Sequence, residues 1–251
     1  MRLFGLIGFP LSHSISPAVF SEIFRKEAVN DASYKLFEIN SLNALADLLK
    51  ERNEIEGFNV TIPYKKRIIP LLHKLDGTAL KAEAANCIKI KRPDKEVVLE
   101  GFNTDYPAFL QSIDKTGLDP GKKALILGTG GSAGAVAAAL SKKKIDFLIV
   151  SRSENRGDLT YREINDELMS EVELIVNTTP LGMYPHTDEY PPLPYHYLTP
   201  EHICYDLVYN PPMTLFLRKS MERGGAIING EEMLKVQAQM SWEIWNGRSK
   251  I

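Results

Sequence analysis

The stretch Ala124-Leu-Ile-Leu-Gly-Thr-Gly-Gly-Ser-Ala-Gly134 reads as an apolar strand, a glycine turn and a helix start, the arrangement that seats a dinucleotide pyrophosphate. Gly128 suits the tight turn, Gly130 lets backbone N–H groups approach phosphate, and Gly131 and Ser132 open the helix. Ala133, in the place of the third glycine, is small enough for helix against strand. Flavin enzymes and methyltransferases use similar turns, so the loop alone does not choose a cofactor. The end of the next strand narrows the choice. An NAD site carries an acidic residue there for the ribose 2′-hydroxyl, whereas this chain has Ser151-Arg152-Ser153 with Arg156 close behind. Guanidinium groups pair with a 2′-phosphate that a carboxylate would repel, which favours NADP over NAD. Two plain surface arginines, with Glu154 between them, are the alternative.

Four strings in the first half gather small polar residues around a lysine and an aspartate. They are Gly8-Phe-Pro-Leu-Ser-His-Ser-Ile-Ser-Pro17, Asn59-Val-Thr-Ile-Pro-Tyr-Lys65, Ala84-Ala-Asn-Cys87 and Gly101-Phe-Asn-Thr-Asp105. Each has a bland reading too. Lys65 opens the basic run Lys65-Lys66-Arg67, Asp105 and Ser16 suit helix caps, and Asn86 suits a turn.

The elements that must position these residues alternate. Leu3 to Phe9 reads as a buried first strand, interrupted by Pro10. Ser16-Pro17 then opens a helix, with Ser16 as the capping hydroxyl and Val19, Phe20, Ile23 and Phe24 on one face. A strand at Lys35 to Ile39, a helix at Leu42 to Arg52 and a strand at Gly57 to Ile62 follow. A second series places strands at Ala124 to Leu127, Phe147 to Val150, Leu174 to Val176 and Ile203 to Asp206. Such alternation predicts an α/β fold with largely parallel sheets, and functional groups beyond the carboxyl ends of the strands. Tyr184 to Pro200, rich in Pro, Tyr and His, reads as an exposed loop, and Glu231 to Trp245 as a largely buried helix.

The 251 residues suffice for one large domain or two ordinary ones, and 44% hydrophobic with 25% charged residues is the balance of a soluble globular chain. A net charge of -2 with basic and acidic residues intermixed gives no reason to expect a nucleic-acid partner, which needs a basic face, and a small-molecule substrate is expected. Cys87 and Cys204 lack metal-ligand spacing, so no metal is expected, and free thiols point to the cytoplasm. No small-residue cleavage site follows the apolar start, and no apolar run reaches the length of a membrane span.

In order and spacing the four strings, with Asn177-Thr-Thr-Pro-Leu-Gly-Met183, Asp206-Leu-Val-Tyr-Asn-Pro-Pro-Met-Thr214 and Gly230-Glu-Glu-Met-Leu-Lys-Val-Gln237, resemble the shikimate dehydrogenase family over nearly the whole chain. The resemblance implies an N-terminal α/β substrate domain (1–104 with 231–251) and a Rossmann-like, doubly wound NADP-binding domain (105–230). A C-terminal helix returns to the substrate domain, and closure between domains brings nicotinamide to substrate. The implied reaction is the reversible NADP-dependent interconversion of 3-dehydroshikimate and shikimate in chorismate and aromatic amino acid biosynthesis. A ketone taking hydride leaves an alkoxide that needs a proton. Lys65 and Asp105 match the family's acid-base pair at that oxygen. By the same resemblance Ser14 and Ser16 hold the substrate carboxylate, Thr61, Asn86 and Gln237 contact hydroxyls or carboxylate, and Tyr209 stands at the substrate's edge. Thr178 and Gly230 join the glycine turn and the arginine string at the cofactor. An exposed helix position is the bland alternative for Gln237, and His13 is read as structural.

Two departures stand out: Ser151 replaces the usual asparagine, and Ala85-Asn86-Cys87 replaces Val-Asn-Thr. The chain is also somewhat short for the family. The rival readings are a quinate/shikimate dehydrogenase with dual cofactor use and a non-catalytic NADP-binding regulatory module. A monomer or a homodimer is expected.

Overall fold

The computed structural model describes residues 1–118 and 121–249; residues 119–120 and 250–251, which fall within the expected nucleotide-binding and returning C-terminal segments, lie outside the described residues. The chain divides into two compact units, Met1–Pro107 with Lys235–Ile251, and Ala108–Leu234. Among the described residues no helix is long and apolar enough to cross a membrane.

The first unit holds strands β1 (Arg2–Gly8), β2 (Ala32–Glu38), β3 (Ile55–Val60), β4 (Lys74–Leu75), β5 (Cys87–Lys91) and β6 (Val98–Phe102) in the order β2-β1-β3-β5-β6-β4. β1 is buried from Leu3 onward because it is flanked on both edges and covered on both faces. The helices of this part include α1 (Ser16–Lys26), α2 (Ala44–Glu51), α3 (Gly77–Ala82) and the start of α4 (Asp105–Ile113). α1 buries Phe20, Ile23 and Phe24, the apolar stripe expected at helical spacing. These side chains meet Trp242 and Trp245 in one core cluster; a second forms where Leu45 and Leu49 of α2 pack with Phe58 and Ile88.

The first sheet is mixed rather than largely parallel, since β5 runs antiparallel to both β3 and β6. Only a short connection joins β5 to β6, too short for the crossover that a parallel pair needs. Ser16 does not cap its helix. The N-cap position falls on Ile15 with no side-chain hydrogen bond, while the Ser14 hydroxyl accepts from Ser16 N at 3.3 Å.

The second unit carries β7 (Lys123–Leu127), β8 (Phe147–Ser151), β9 (Leu159–Thr160), β10 (Val172–Asn177), β11 (Ile203–Asp206) and β12 (Ala226–Ile228), with order β12-β11-β10-β7-β8-β9 and every pairing parallel. Its helices include α5 (Gly131–Lys143), α6 (Asp166–Glu171) and α7 (Leu215–Met221), and α8 (Glu231–Trp245) follows β12. β9 and β12 are too short to show periodicity in sequence. The Tyr184 to Pro200 segment is exposed throughout only as far as Tyr190; beyond it Pro192, His196, Thr199 and Pro200 remain exposed, but Pro191, Leu193 and Leu198 are buried, the two leucines in the core beside Phe216 and Leu217. Proline-rich composition hid those apolar anchors.

Candidate active site and nucleotide cradle

In the first unit, β1, β3 and β6 run parallel to one another, so their carboxyl ends share one edge of the sheet. Ser14 and Ser16 follow β1, Thr61 and Lys65 follow β3, and Asp105 follows β6. Asn86 precedes β5, yet it reaches the same edge because β5 is antiparallel.

Lys65 Nζ donates to Asp105 Oδ2 at 2.7 Å, with side-chain exposures of 15% and 4%. Asp105 opens α4, but the N–H of Tyr106 is taken by Asn103 Oδ1 at 2.9 Å, which leaves the Asp105 carboxylate to the lysine. The helix N-terminus adds partial positive charge that favours this anion. Lys65 is therefore no surface lysine of a basic run. Its carbonyl accepts from Ala85 N at 2.8 Å, which anchors it beside Asn86.

Asn86 is almost fully buried and fully engaged. Its Nδ2 donates to Thr104 Oγ1 and to Gln237 Oε1, each at 3.0 Å, and its Oδ1 accepts from Thr104 N at 2.7 Å. Gln237, on α8, thus spends its oxygen inward and leaves Nε2 to donate. Behind them Ser241 donates to Gln237 O at 2.9 Å and accepts from Asn59 Nδ2 at 2.8 Å, while Tyr34 donates to Asn59 Oδ1 at 2.9 Å. Thr104 and Asn59 lie inside the polar strings of the first half, where neither type nor spacing sets them apart. Ser241 carried one usable signal, its position one turn from Gln237 on the same helix face.

Ser14 Oγ donates to Ser16 Oγ at 3.1 Å, a half-buried hydroxyl pair at the uncapped N-terminus of α1. Thr61 is half-buried, its N bonded to Ile7 O at 3.0 Å, and His13 is exposed. Cys87 is buried and free, and burial pushes its thiol up to about 12, so it has no nucleophilic character near neutrality. Among the described residues no three His, Cys, Asp or Glu side chains are grouped to hold a metal ion.

The second sheet reverses its strand order between β7 and β10, and ligands of doubly wound sheets bind outside the carboxyl ends at that point. The glycine turn follows β7 and Thr178 follows β10, so both flank it. Gly128 has φ +109, which a side chain rarely adopts, and a Cβ there would come within 2.9 Å of Thr178 Oγ1 and Thr179 Cγ2. Thr178 Oγ1 donates to Leu127 O at 2.6 Å. Gly130 is the N-cap of α5, which has no side-chain cap, and a Cβ built on it meets nothing within 4 Å. The N–H groups of such an open helix N-terminus fit a pyrophosphate. Ala133 is buried, as close helix packing requires; Gly131 and Ser132, ahead of it, lie on the first turn and are half-buried.

At the end of β8 Ser151 is buried and accepts from Ser153 N at 3.0 Å, which shapes the turn; Arg152, Ser153 and Arg156 are exposed. No carboxylate occupies the strand end, so the donor set suits a 2′-phosphate. Gly230 is not part of the glycine turn. It precedes α8, where a Cβ would collide with the carbonyl of Leu207, so its smallness serves backbone packing. Tyr209, after β11, is half-buried in the second unit.

A family model described as the shikimate dehydrogenase substrate binding domain matches residues 6–88. A protein of Methanococcus aeolicus named shikimate dehydrogenase (NADP(+)) is 35% identical, the match covering 98% of this chain and 92% of that one. A crystal structure of a shikimate dehydrogenase in complex with NADP+ superposes with a TM-score of 0.85 at 29% identity, covering 98% and 90% of the two chains. The shikimate 5-dehydrogenase of Thermus thermophilus, in complex with NADP(H) and shikimate, gives 0.84 at 30% identity over 98% and 94%.

Proposed function

The chain belongs to the shikimate dehydrogenase family and is an NADP-dependent oxidoreductase, and from that premise we propose how its own residues carry the reaction. The substrate pair is 3-dehydroshikimate and shikimate. The domain of residues 1–104 with 231–251 binds it, and the domain of residues 105–230 binds NADP.

NADPH, when bound, supplies the hydride. Lys65 then gives a proton to the resulting alkoxide oxygen, and in the reverse direction its amine takes the proton from the hydroxyl. Asp105 holds the ammonium in line and itself accepts a hydrogen bond from the same hydroxyl. The observation that carries this reading is the Lys65–Asp105 pair at 2.7 Å, withdrawn from bulk water next to a polar cluster. Ser14 and Ser16 take the substrate carboxylate at the start of α1. Gln237, with its oxygen held by Asn86, donates to a substrate oxygen, and Thr61 and Asn86 line the same edge. Tyr209 meets the substrate's rim. A polyol needs such a lining, because each buried hydroxyl left unpaired costs about 1–3 kcal/mol.

For the cofactor, Gly128, Gly130, Gly131, Ser132 and Ala133 accept the pyrophosphate, Arg152 and Arg156 the 2′-phosphate, with Ser151 and Ser153 shaping that turn. Thr178 and Gly230 border the nicotinamide half. We take the partners to be small molecules only, the working unit to be a monomer or homodimer, and the compartment to be the reducing cytoplasm, in keeping with two buried free thiols.

Steady-state rates on shikimate and quinate, each with NADP and NAD, test the reading. Preference for shikimate with NADP is expected; preference for quinate with NAD would replace it with a dual-cofactor quinate/shikimate dehydrogenase, and no turnover of either acid with a bound cofactor would replace it with a regulatory module.

A further inference from the structure

The second sheet ends in a buried carboxyl that no step above uses. Asp206 closes β11 and has no exposed surface. Its Oδ1 accepts from Asn177 Nδ2 at 2.9 Å and Val208 N at 3.0 Å, and its Oδ2 accepts from Thr214 Oγ1 at 2.6 Å. Asn177 closes β10, and its Oδ1 accepts in turn from Thr179 N at 3.0 Å and Thr179 Oγ1 at 2.6 Å. Thr214 caps α7, accepting from Leu217 N at 3.3 Å.

This hydrogen-bonded chain joins two loops. One follows β10, carries Thr178, and packs where Gly128 lacks a Cβ. The other follows β11 and carries Tyr209 between Asp206 and Thr214. An apolar residue at position 206 would leave Asn177, Val208 N and Thr214 facing it unpaired, which is what a buried carboxyl avoids despite its desolvation. The opposing effects are visible in the carboxyl itself: burial pushes it up to about 7, against three hydrogen bonds that favour its charged form.

We propose that Asp206 is a positioning residue that holds the Thr178 loop and the Tyr209 loop in register with the glycine turn, so that cofactor and substrate meet preset contacts. The proposal rests on the roles given above to Thr178 and Tyr209. The decisive measurements on the full chain are direct NADPH affinity by fluorescence, kcat and KM at 25 °C, and the melting midpoint, for Asp206→Asn, Thr178→Val, Tyr209→Phe and the double variants. Misplaced loops should weaken NADPH binding and lower kcat/KM roughly tenfold to a hundredfold in Asp206→Asn while it still melts cooperatively. Each double variant should lose less than the sum of its singles, because both changes act on the same contacts.

Unchanged affinity and kcat/KM with only a lowered midpoint would make Asp206 a purely structural group and overturn the proposal, as would full additivity. Wild-type kinetics in both Thr178→Val and Tyr209→Phe would instead withdraw the roles of those two residues, and the positioning role with them. If Asp206→Asn does not fold, Thr214→Val, which removes the Oδ2 tie alone, is judged by the same readouts and should show a smaller loss in the same direction.

Discussion

Asp105 Oδ2 accepts from Lys65 Nζ at 2.7 Å across 40 residues of chain, and neither side chain is more than 15% exposed. Removing one partner of such a pair strands the other's charge away from water, at a cost of about 3–5 kcal/mol. Lys65→Met should therefore lose both turnover, by about 10²–10⁴, and stability. Adding Asp105→Asn should restore most of the stability and none of the turnover. Denaturant unfolding beside initial rates checks this; a double variant as unstable as Lys65→Met would show that the pair is not what holds this corner together.

Gln237 is committed through its oxygen to Asn86 Nδ2 at 3.0 Å. Gln237→Leu removes the acceptor inside and the donor outside at once. The expected result is a KM for shikimate raised about tenfold, near the worth of one hydrogen bond, with the KM for NADP little changed. Equal rises in both constants would speak for general disorder of α8 instead.

Gly130 and Gly128 should separate binding from folding. A Cβ at Gly130 meets nothing in the protein, so Gly130→Ala should keep the melting midpoint while NADPH affinity falls, because the added methyl stands where phosphate approaches. Gly128→Ala, at φ +109 and against Thr178 and Thr179, should lose stability by roughly 1 kcal/mol or more. Retained NADPH affinity in Gly130→Ala would remove the helix N-terminus from the phosphate site.

Arg152 is exposed in the turn after β8. Arg152→Ala should raise the KM for NADP by about tenfold to a hundredfold, the worth of a charge-assisted hydrogen bond of about 1.5–3 kcal/mol, and should leave the KM for NAD close to wild type. Parallel changes would mean that Arg152 does not read the 2′-phosphate.

Asp206 gives stability a pH dependence of definite sign. Its carboxyl lies at about 7 in the folded chain against an ordinary 3.8, so between those values the folded state holds a proton that the unfolded state has released. Stability from this group is full below the lower value and is lost as pH rises through the upper one. The ionisable groups facing it, Tyr195 and Cys204, are both driven up by burial and stay neutral over this range. In Asp206→Asn this slope disappears. The gap in unfolding free energy between wild type and variant should thus shrink from about pH 5 to about pH 8; a constant gap would place the carboxyl's titration elsewhere.

Much of the architecture was legible because it is local. The stripe Phe20, Ile23, Phe24 declares a helix and its buried face, Ile203–Asp206 and Glu231–Trp245 have the bounds their patterns imply, and the glycine turn after β7 needs only the conformations of its own residues. Expectations failed where a neighbouring residue took the expected position, or where a residue's partner lies elsewhere in the chain. Ser16 has the side chain of a cap, but Ile15 holds that position and the Ser14 hydroxyl takes the nearby N–H. Leu193 and Leu198 lie in a proline-rich stretch without periodicity, and only the core of the second unit reveals them as anchors.

Residue types and spacing by themselves determined the alternating α/β framework, the nucleotide turn and the family, since these depend on torsion preferences and on strings read in order. Only the tertiary structure decided that Asn86 stands beside the ends of β3 and β6, because this follows from β5 running backwards, and that Gln237, 151 residues away, turns its oxygen inward to meet it. It supplied the direct contact of Lys65 with Asp105 that the family resemblance implies, and it alone buried Asp206 between two loops. Hydrogen bonds between distant segments, and the loss of water that gives them weight, exist only once the chain has closed on itself.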